Sequence, residues 1–323
     1  MSVLVYIEDR KGTLPKQSLE IASYSAHLAK MQGTDVAALV MGKVENDELN
    51  KLSKFGITSI LKSDDDRIYS SNPQLLSVVI SQAIDKTNAK TIVFAHNGTG
   101  KAVAPRLSAK LKAGLATAVV GLPDSMNPFS VYKKVFTGKA FASLEIYTEI
   151  KILTLSPNTH EIVEINTNLN IEKFNPEIPE NLQNIKVLET SAAGEELLLS
   201  EADIVVSGGR GMKGPENWSL IEDLANEMGA ATACSRPVSD EGWRDHSEHV
   251  GQTGKVIAPN LYIAAGISGA IQHIGGVNSS KCIVAINKDE DAPIFETADY
   301  GIVGDVMKVF PELLKAYKEF KSS

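Results

Sequence analysis

Between Arg210 and Asp305 the chain places polar and charged residues at the ends of short apolar runs, with glycines beside them. Leu261–Ala265 and residues 282–286 have the length and Val/Ile content of buried parallel strands. The first is followed by Gly266-Ile267-Ser268-Gly269, and then by an apolar run at helical spacing over 270–274. Strand, glycine turn and helix start together aim backbone N–H groups and the positive end of a helix dipole at one spot, which suits a pyrophosphate. A second turn, Gly208-Gly209-Arg210-Gly211, lies between a strand at 204–207 and a helix at 218–228. Alone it fits a ligand-free tight turn equally well; Arg210 inside it adds a possible anion contact. Ser235 and Arg236 end the strand at 229–234, where Arg236 reads either as a surface cation or as a site residue. Asn287, Lys288 and Asp289 follow the 282–286 strand, at the carboxyl end where open α/β sheets bind ligands.

A further polar set exceeds what a pyrophosphate needs. Gln252-Thr253-Gly254 sits in a loop, and Gln272-His273 follows the glycine turn. A large planar ring with hydrogen-bonding edges would use them. Arg236 and His273 are the available groups for negative charge developing on such a ring, and Thr253 and Gly254 can offer a hydroxyl and a backbone N–H. His273 also reads as a core histidine, and Asp305 as the cap of a closing helix. Nothing points to acyl or phosphoryl transfer: no G-x-S-x-G elbow, no nucleophile with its base and no metal-ligand spacing occur. The stretch His96–Lys101 contains NGTGK but lacks the spacing of a phosphate loop, and reads as a strand-to-helix turn with a cap. His96 reads as solvated or as a contact to a partner.

These residues need two α/β domains to position them. The 323 residues, 43% hydrophobic and 22% charged, suit a globular chain of about two domains. A net charge of −8 argues against nucleic acid. Cys234 and Cys282 read as buried free thiols. No apolar run is long enough to span a membrane. The opening MSVLVYIED reads as a first strand rather than a signal peptide, so a cytoplasmic protein, or an organelle-matrix protein in mature form, is expected. Residues 1–125 alternate strands (3–7, 36–41, 57–61, 91–95, 118–122) with helices (17–31, 73–84, 102–111). On the first helix Leu19, Ala22, Ala26 and Ala29 make one face, stopped by Gly33, and Asn72 caps the second. Strands at 131–136, 140–146, 150–155 and 161–164 read as an antiparallel extension, and 166–193 as a linker ending near Thr190. Residues 305–320 form a closing helix with Val306, Val309, Leu313 and Leu314 inward. The expected fold is α/β in two domains, 1–190 and 191–323, each a mainly parallel sheet with flanking helices.

VGQTGK, GISGAIQH, AINKD and ADYGIVGD, taken together, resemble the α subunit of electron transfer flavoprotein. The resemblance is specific from about Ile204 onward; before that it rests on length and α/β pattern. It implies that the C-terminal domain is Rossmann-like and holds FAD at a junction with a β subunit. It implies Arg236 beside the flavin ring, Gln252, Thr253 and Gly254 near N5, and His273 at O2. Ser268, Gly269 and Gln272 would meet the pyrophosphate and ribityl chain, Asn287 and Asp305 the adenosine end, and Arg210 and Ser235 further atoms. Val250, Gly251, Ala270 and Ile271 complete the candidate set. The resemblance further implies one FAD per heterodimer, AMP in the partner, flavin dehydrogenases such as acyl-CoA dehydrogenases as donors and a membrane quinone oxidoreductase as acceptor. The chain would be an electron carrier of fatty acid β-oxidation rather than an enzyme. A subunit that bifurcates electrons, an NAD-dependent dehydrogenase and a nucleotide sensor without redox function stand as alternatives. The dehydrogenase lacks the G-x-G-x-x-G spacing with its acidic ribose ligand.

Overall fold

The computed structural model describes residues 2–69, 72–136, 138–182, 199 and 201–322. They fall into two compact units, one within Met1–Val135 and Lys139–Thr190, the other within Phe136–Gly138 and Ser191–Ser323. The expected domain boundary and linker end, near Thr190, lie outside the described residues.

The first unit runs β1 (Ser2–Ile7), α1 (Lys16–Gln32), β2 (Asp35–Met41), α2 (Asn46–Asn50), β3 (Ser59–Ser63), α3 (Pro73–Thr87) and β4 (Ala89–Ala95). It continues with α4 (Gly98–Leu111), β5 (Gly114–Val119), β6 (Ser125–Met126), β7 (Phe129–Val135), β8 (Ala140–Ile146), β9 (Lys151–Leu155) and β10 (Asn170–Lys173). The sheet order is β10-β3-β2-β1-β4-β9-β5-β7-β6, with β8 paired to β7. Both faces are covered, because alternate residues of a strand point to opposite sides. Val3, Val5 and Ile7 pack with Ile21, Tyr24 and Leu28 of α1. Leu4 and Tyr6 pack with Val79 and Ile80 of α3 and Val103 and Leu107 of α4.

Several boundaries differ from expectation. α1 is buried on most sides rather than along one stripe, with Ser18, Glu20, Ser23 and Ser25 inside. α4 starts at Gly98, not Ala102, because the Asn97 side chain accepts from Gly100 N at 2.9 Å and starts the first turn earlier. The strand expected at 118–122 lies four residues earlier, and Ala118 has a left-handed φ of 57° that interrupts pairing. Only part of the antiparallel extension forms. β7 and β8 make it, but β9 inserts parallel between β4 and β5. Residues 161–164 form no strand; only Ile165 bridges to Phe55. Within the expected linker, β10 pairs parallel with β3. Thr137, in the expected turn between β7 and β8, lies outside the described residues.

The second unit contains β11 (Ile204–Gly208), α5 (Ser219–Met228), β12 (Ala231–Cys234), α6 (Arg236–Asp240), β13 (Leu261–Ala265), α7 (Ile271–Val277), β14 (Ile283–Asn287), β15 (Tyr300–Val303) and α8 (Val306–Ser322). Its sheet is parallel in the order β12-β11-β13-β14-β15. Val205, Tyr262 and Ala264 face one core with Val277, and Val206, Ile263 and Ala265 face the other with Leu224 and Phe310. The chain leaves β11 towards β12 and returns on the far side of β11 as β13. The topological switch, where such sheets open a crevice at the strands' carboxyl ends, therefore lies between Gly208 and Ala265. Asp305 does cap α8, accepting from Met307 N at 3.1 Å. The inward face of α8 is anchored by Val306 and Phe310, with Val309, Leu313 and Leu314 only partly buried. Cys234 is buried, whereas Cys282, expected inside, is half-buried because it precedes β14.

Candidate functional site

The two glycine turns picked out above meet at the switch point. Register puts Gly208 level with Cys234 on one side and Ala265 on the other, so the loops after β11, β12 and β13 leave the sheet together. Gly209 N donates to Ala265 O at 2.8 Å and Gly211 N to Gly266 O at 3.0 Å. The two backbones touch: a Cβ on Gly266, whose φ is +61°, would fall 2.8 Å from Gly211 Cα. Side chains at these positions would push the loops apart.

Above this contact opens a cleft of about 690 Å³, within the range of sites that enclose a small molecule or cofactor. Of the expected residues, Arg210, Ser235, Arg236, Val250, Gly251, Thr253, Ser268, Ala270, Gln272, His273 and Asn287 line it. Five do not. The Gln252 side chain lies against Gly275, where a Cβ would sit 2.5 Å from its Nε2. Gly254 packs on His249, and Gly269, with φ +87°, packs on the Ile294 backbone. Ile271 is exposed. Asp305 holds Lys213 at 2.9 Å besides capping α8. Lys288 and Asp289 line the cleft as their strand-end position suggests. The sequence reading missed Asp240 and His249. Asp240 stands one helical turn beyond Arg236, and His249 directly precedes Val250-Gly251-Gln252-Thr253; those spacings were the available signals.

Charge in the lining is mixed. Arg210, Arg236 and Lys288 bring three cations, and Asp240 and Asp289 two carboxylates. Arg236 Nε donates to Asp240 Oδ2 at 3.2 Å on an exposed part of the rim. Asn287 is held on both sides: its Nδ2 donates to Ile267 O at 3.0 Å and its Oδ1 accepts from Asp289 N at 3.1 Å. Lys255 is half-buried, with its backbone N–H on His249 O.

Two buried histidines form the deep part of the lining. His273 Nε2 pairs with Tyr262 Oη at 2.8 Å, while its Nδ1 makes no hydrogen bond of normal geometry. Burial drives its pKa down to about 4, against a weaker opposing contact with the Val250 backbone and with His249 adding to the fall. Burial keeps Tyr262 protonated far into the alkaline range. His249 Nδ1 is also buried without a partner. Unpaired buried nitrogens are rare in finished sites and are satisfied by a ligand or water. Glycine loops on a parallel sheet, cations at the rim and unmatched nitrogens within fit a phosphate-bearing cofactor with a hydrogen-bonding ring. Among the described residues no group of metal-ligating side chains occurs, and no helix is long and apolar enough to cross a membrane.

Outside this cleft, the His96–Lys101 stretch holds no comparable arrangement. His96 is half-buried rather than solvated: its Nδ1 lies 2.7 Å from Thr154 Oγ1, and burial, then Lys101 and Lys133, lowers its pKa to about 4.

Comparison with known proteins bears on both units. Residues 3–179 match the family model described as electron transfer flavoprotein domain, and 198–278 that described as electron transfer flavoprotein FAD-binding domain. The chain is 38% identical over 320 residues to the electron transfer flavoprotein subunit alpha of Syntrophomonas wolfei, covering 98% of each chain. It is 33% identical to that of Bacillus subtilis, covering 98% of this chain and 97% of the relative. It is 34% identical to a probable mitochondrial alpha subunit of Caenorhabditis elegans, covering 98% of this chain and 93% of the relative.

Proposed function

The chain belongs to the electron transfer flavoprotein family, as an alpha subunit with a C-terminal FAD-binding domain, and from that premise we propose that it holds one FAD in the cleft and works as an electron carrier rather than an enzyme. In this reading it pairs with a beta subunit that carries AMP. It takes electrons from flavin dehydrogenases, acyl-CoA dehydrogenases among them, and passes them to a membrane quinone oxidoreductase. Its compartment is the cytoplasm, or an organelle matrix for a processed form.

The observation that carries the reading is the convergence of both glycine turns, Arg236 and Thr253 on one cleft at the switch point. The Ser268–Ala270 turn is assigned to the pyrophosphate. Arg236 is assigned to the ring, where its permanent charge favours the reduced cofactor. Thr253 is assigned to N5 and His273 to O2. FAD supplies the electron-accepting ring, and this chain's residues bind it, orient it and set its electrostatic surroundings. Asn287 is assigned to the adenosine end, with Asp305 beyond the cleft lining, where it holds Lys213.

The partner has its own support. In the β7–β8 hairpin Tyr132 and Phe141 are 40% and 62% exposed, and Tyr147, just past β8, is 79% exposed. Aromatic rings gathered on an antiparallel edge mark a surface that a second chain covers, and the beta subunit is the proposed occupant.

Co-purification with the beta subunit tests the reading. A yellow heterodimer with one FAD and one AMP is expected. Two FAD per heterodimer would assign a bifurcating complex, and a colourless heterodimer that takes up no FAD would overturn the proposal.

A further inference from the structure

His249 lies in the cleft lining with 2% exposure. The backbone from His249 to Lys255 closes over it: Lys255 N donates to His249 O at 2.8 Å, Gly251 N to Lys255 O at 3.1 Å and Gly254 N to Gly251 O at 3.1 Å. The imidazole fills the inside of this loop. A Cβ on Gly254 would fall 2.8 Å from His249 Nδ1, and one on Gly251 3.4 Å from Nε2. Thr253, at the tip of the same loop, lines the cleft. The groups facing His249 are His246, its ring tilted by 49° with centroids 5.3 Å apart, Arg236 and Asp240 from α6, His273 from α7, and Cys234, whose backbone bridges to it from β12.

We propose that His249 is a proton-linked positioning residue beneath the Thr253 loop: it takes up a proton when negative charge arrives on a bound flavin ring and releases it when that charge leaves. This rests on the FAD reading above. A nitrogen buried without a partner is ready to gain one interaction, and a cleft that turns negative favours a cation beside it. His273, the other lining histidine, has its Nε2 engaged by Tyr262 and is driven to about 4, burial first. For His249 the downward push comes first from burial, then from His246 and Arg236, and Asp240 opposes it. His249 is thus the lining histidine with a carboxylate at hand to support its charged form. The step balances simply. One electron enters the ring from a reduced flavoprotein donor, or from dithionite in the test. One proton leaves a buffer acid and forms an N–H bond on the imidazole.

The FAD-loaded heterodimer is titrated potentiometrically from roughly pH 6 to 9, around and above the ordinary histidine value, as wild type and as His249→Gln. The potential of the first one-electron step should fall by roughly 59 mV per pH unit over part of that range in the wild type, and stay level in His249→Gln at equal FAD content. A level wild-type profile, or the same slope in His249→Gln, overturns the proposal; in the second case the ring itself takes the proton. If His249→Gln fails to fold, Asp240→Asn serves instead. It should move the sloping region to lower pH, and an unmoved region overturns the proposal. Absence of flavin in the purified heterodimer shows before any titration, and defeats the FAD reading rather than the role of His249.

Discussion

At the scale of residues, the cleft depends on a few charges whose weight follows from their exposure. Arg236 and Asp240 pair on the rim with side chains 62% and 56% exposed, so the pair itself adds little to stability. In the proposed reading Arg236 acts as a cation near the ring. Arg236→Ala should lower the potential of bound FAD by tens of millivolts, since losing about 1 kcal/mol of charge stabilisation corresponds to roughly 40 mV for a one-electron step. FAD content should hold, because the pyrophosphate is assigned to the Ser268–Ala270 turn. Lys315→Ala, an exposed cation on α8, is the control and should change nothing. A redox titration with an unchanged potential in Arg236→Ala would remove Arg236 from the ring's surroundings.

At the scale of elements, one buried carboxylate holds a whole connection. Glu20, on α1, accepts from the N–H groups of Asn158 at 3.0 Å, Thr159 at 2.8 Å and His160 at 3.0 Å. This ties the turn after β9 onto α1 and explains how polar residues sit on the inner side of that helix. Burial raises the carboxyl's pKa, with the three backbone donors opposing. Glu20→Ala leaves three donors without an acceptor and should cost on the order of 3 kcal/mol. Denaturant unfolding followed by far-UV circular dichroism measures this; an unchanged midpoint would mean that the turn finds other partners. The same tie shows why the antiparallel extension ended early: the chain after β9 is committed to α1 and then to β3, so residues 161–164 are not available for a hairpin.

At the scale of the whole molecule, three strongly shifted histidines contribute to its response to acid. His96 and His160 in the first unit and His273 in the second each have a pKa lowered to about 4, burial being the first cause. A histidine depressed in the folded state stabilises fully above its unfolded value near 6.5 and loses that contribution as pH falls towards 4. For His273, 6% exposed, the loss should approach about 3 kcal/mol by pH 4; His96 and His160 are partly solvated and contribute less. Trp218 and Trp243, the chain's two tryptophans, both lie in the second unit, so tryptophan fluorescence follows that unit alone. Its urea midpoint should drop between pH 7 and 5. A midpoint level across that interval would show that His273 is not held neutral by burial.

From the sequence alone came whatever depends on local order. Gly266–Gly269 after an apolar run, Asn72 before Pro73 and Asp305 before Val306 declare turns and caps within a few residues, because backbone geometry and helix ends are local matters. So Arg210, Ser235, Arg236, Ser268 and Asn287 could be assigned to one cleft: each stands at or just past a strand end, and a parallel sheet brings strand ends together. Tertiary structure decided what depends on partners distant in the chain. β9 sits between β4 and β5, and β10 beside β3, because those strands offered unpaired edges, which no window of sequence around residues 151 or 170 displays. The same holds inside the cleft. His273 reaches Tyr262 and His249 fills its loop only once α7, β13 and the Gly251–Lys255 backbone are packed together, so burial and the resulting proton affinities were properties of the fold rather than of the residue types.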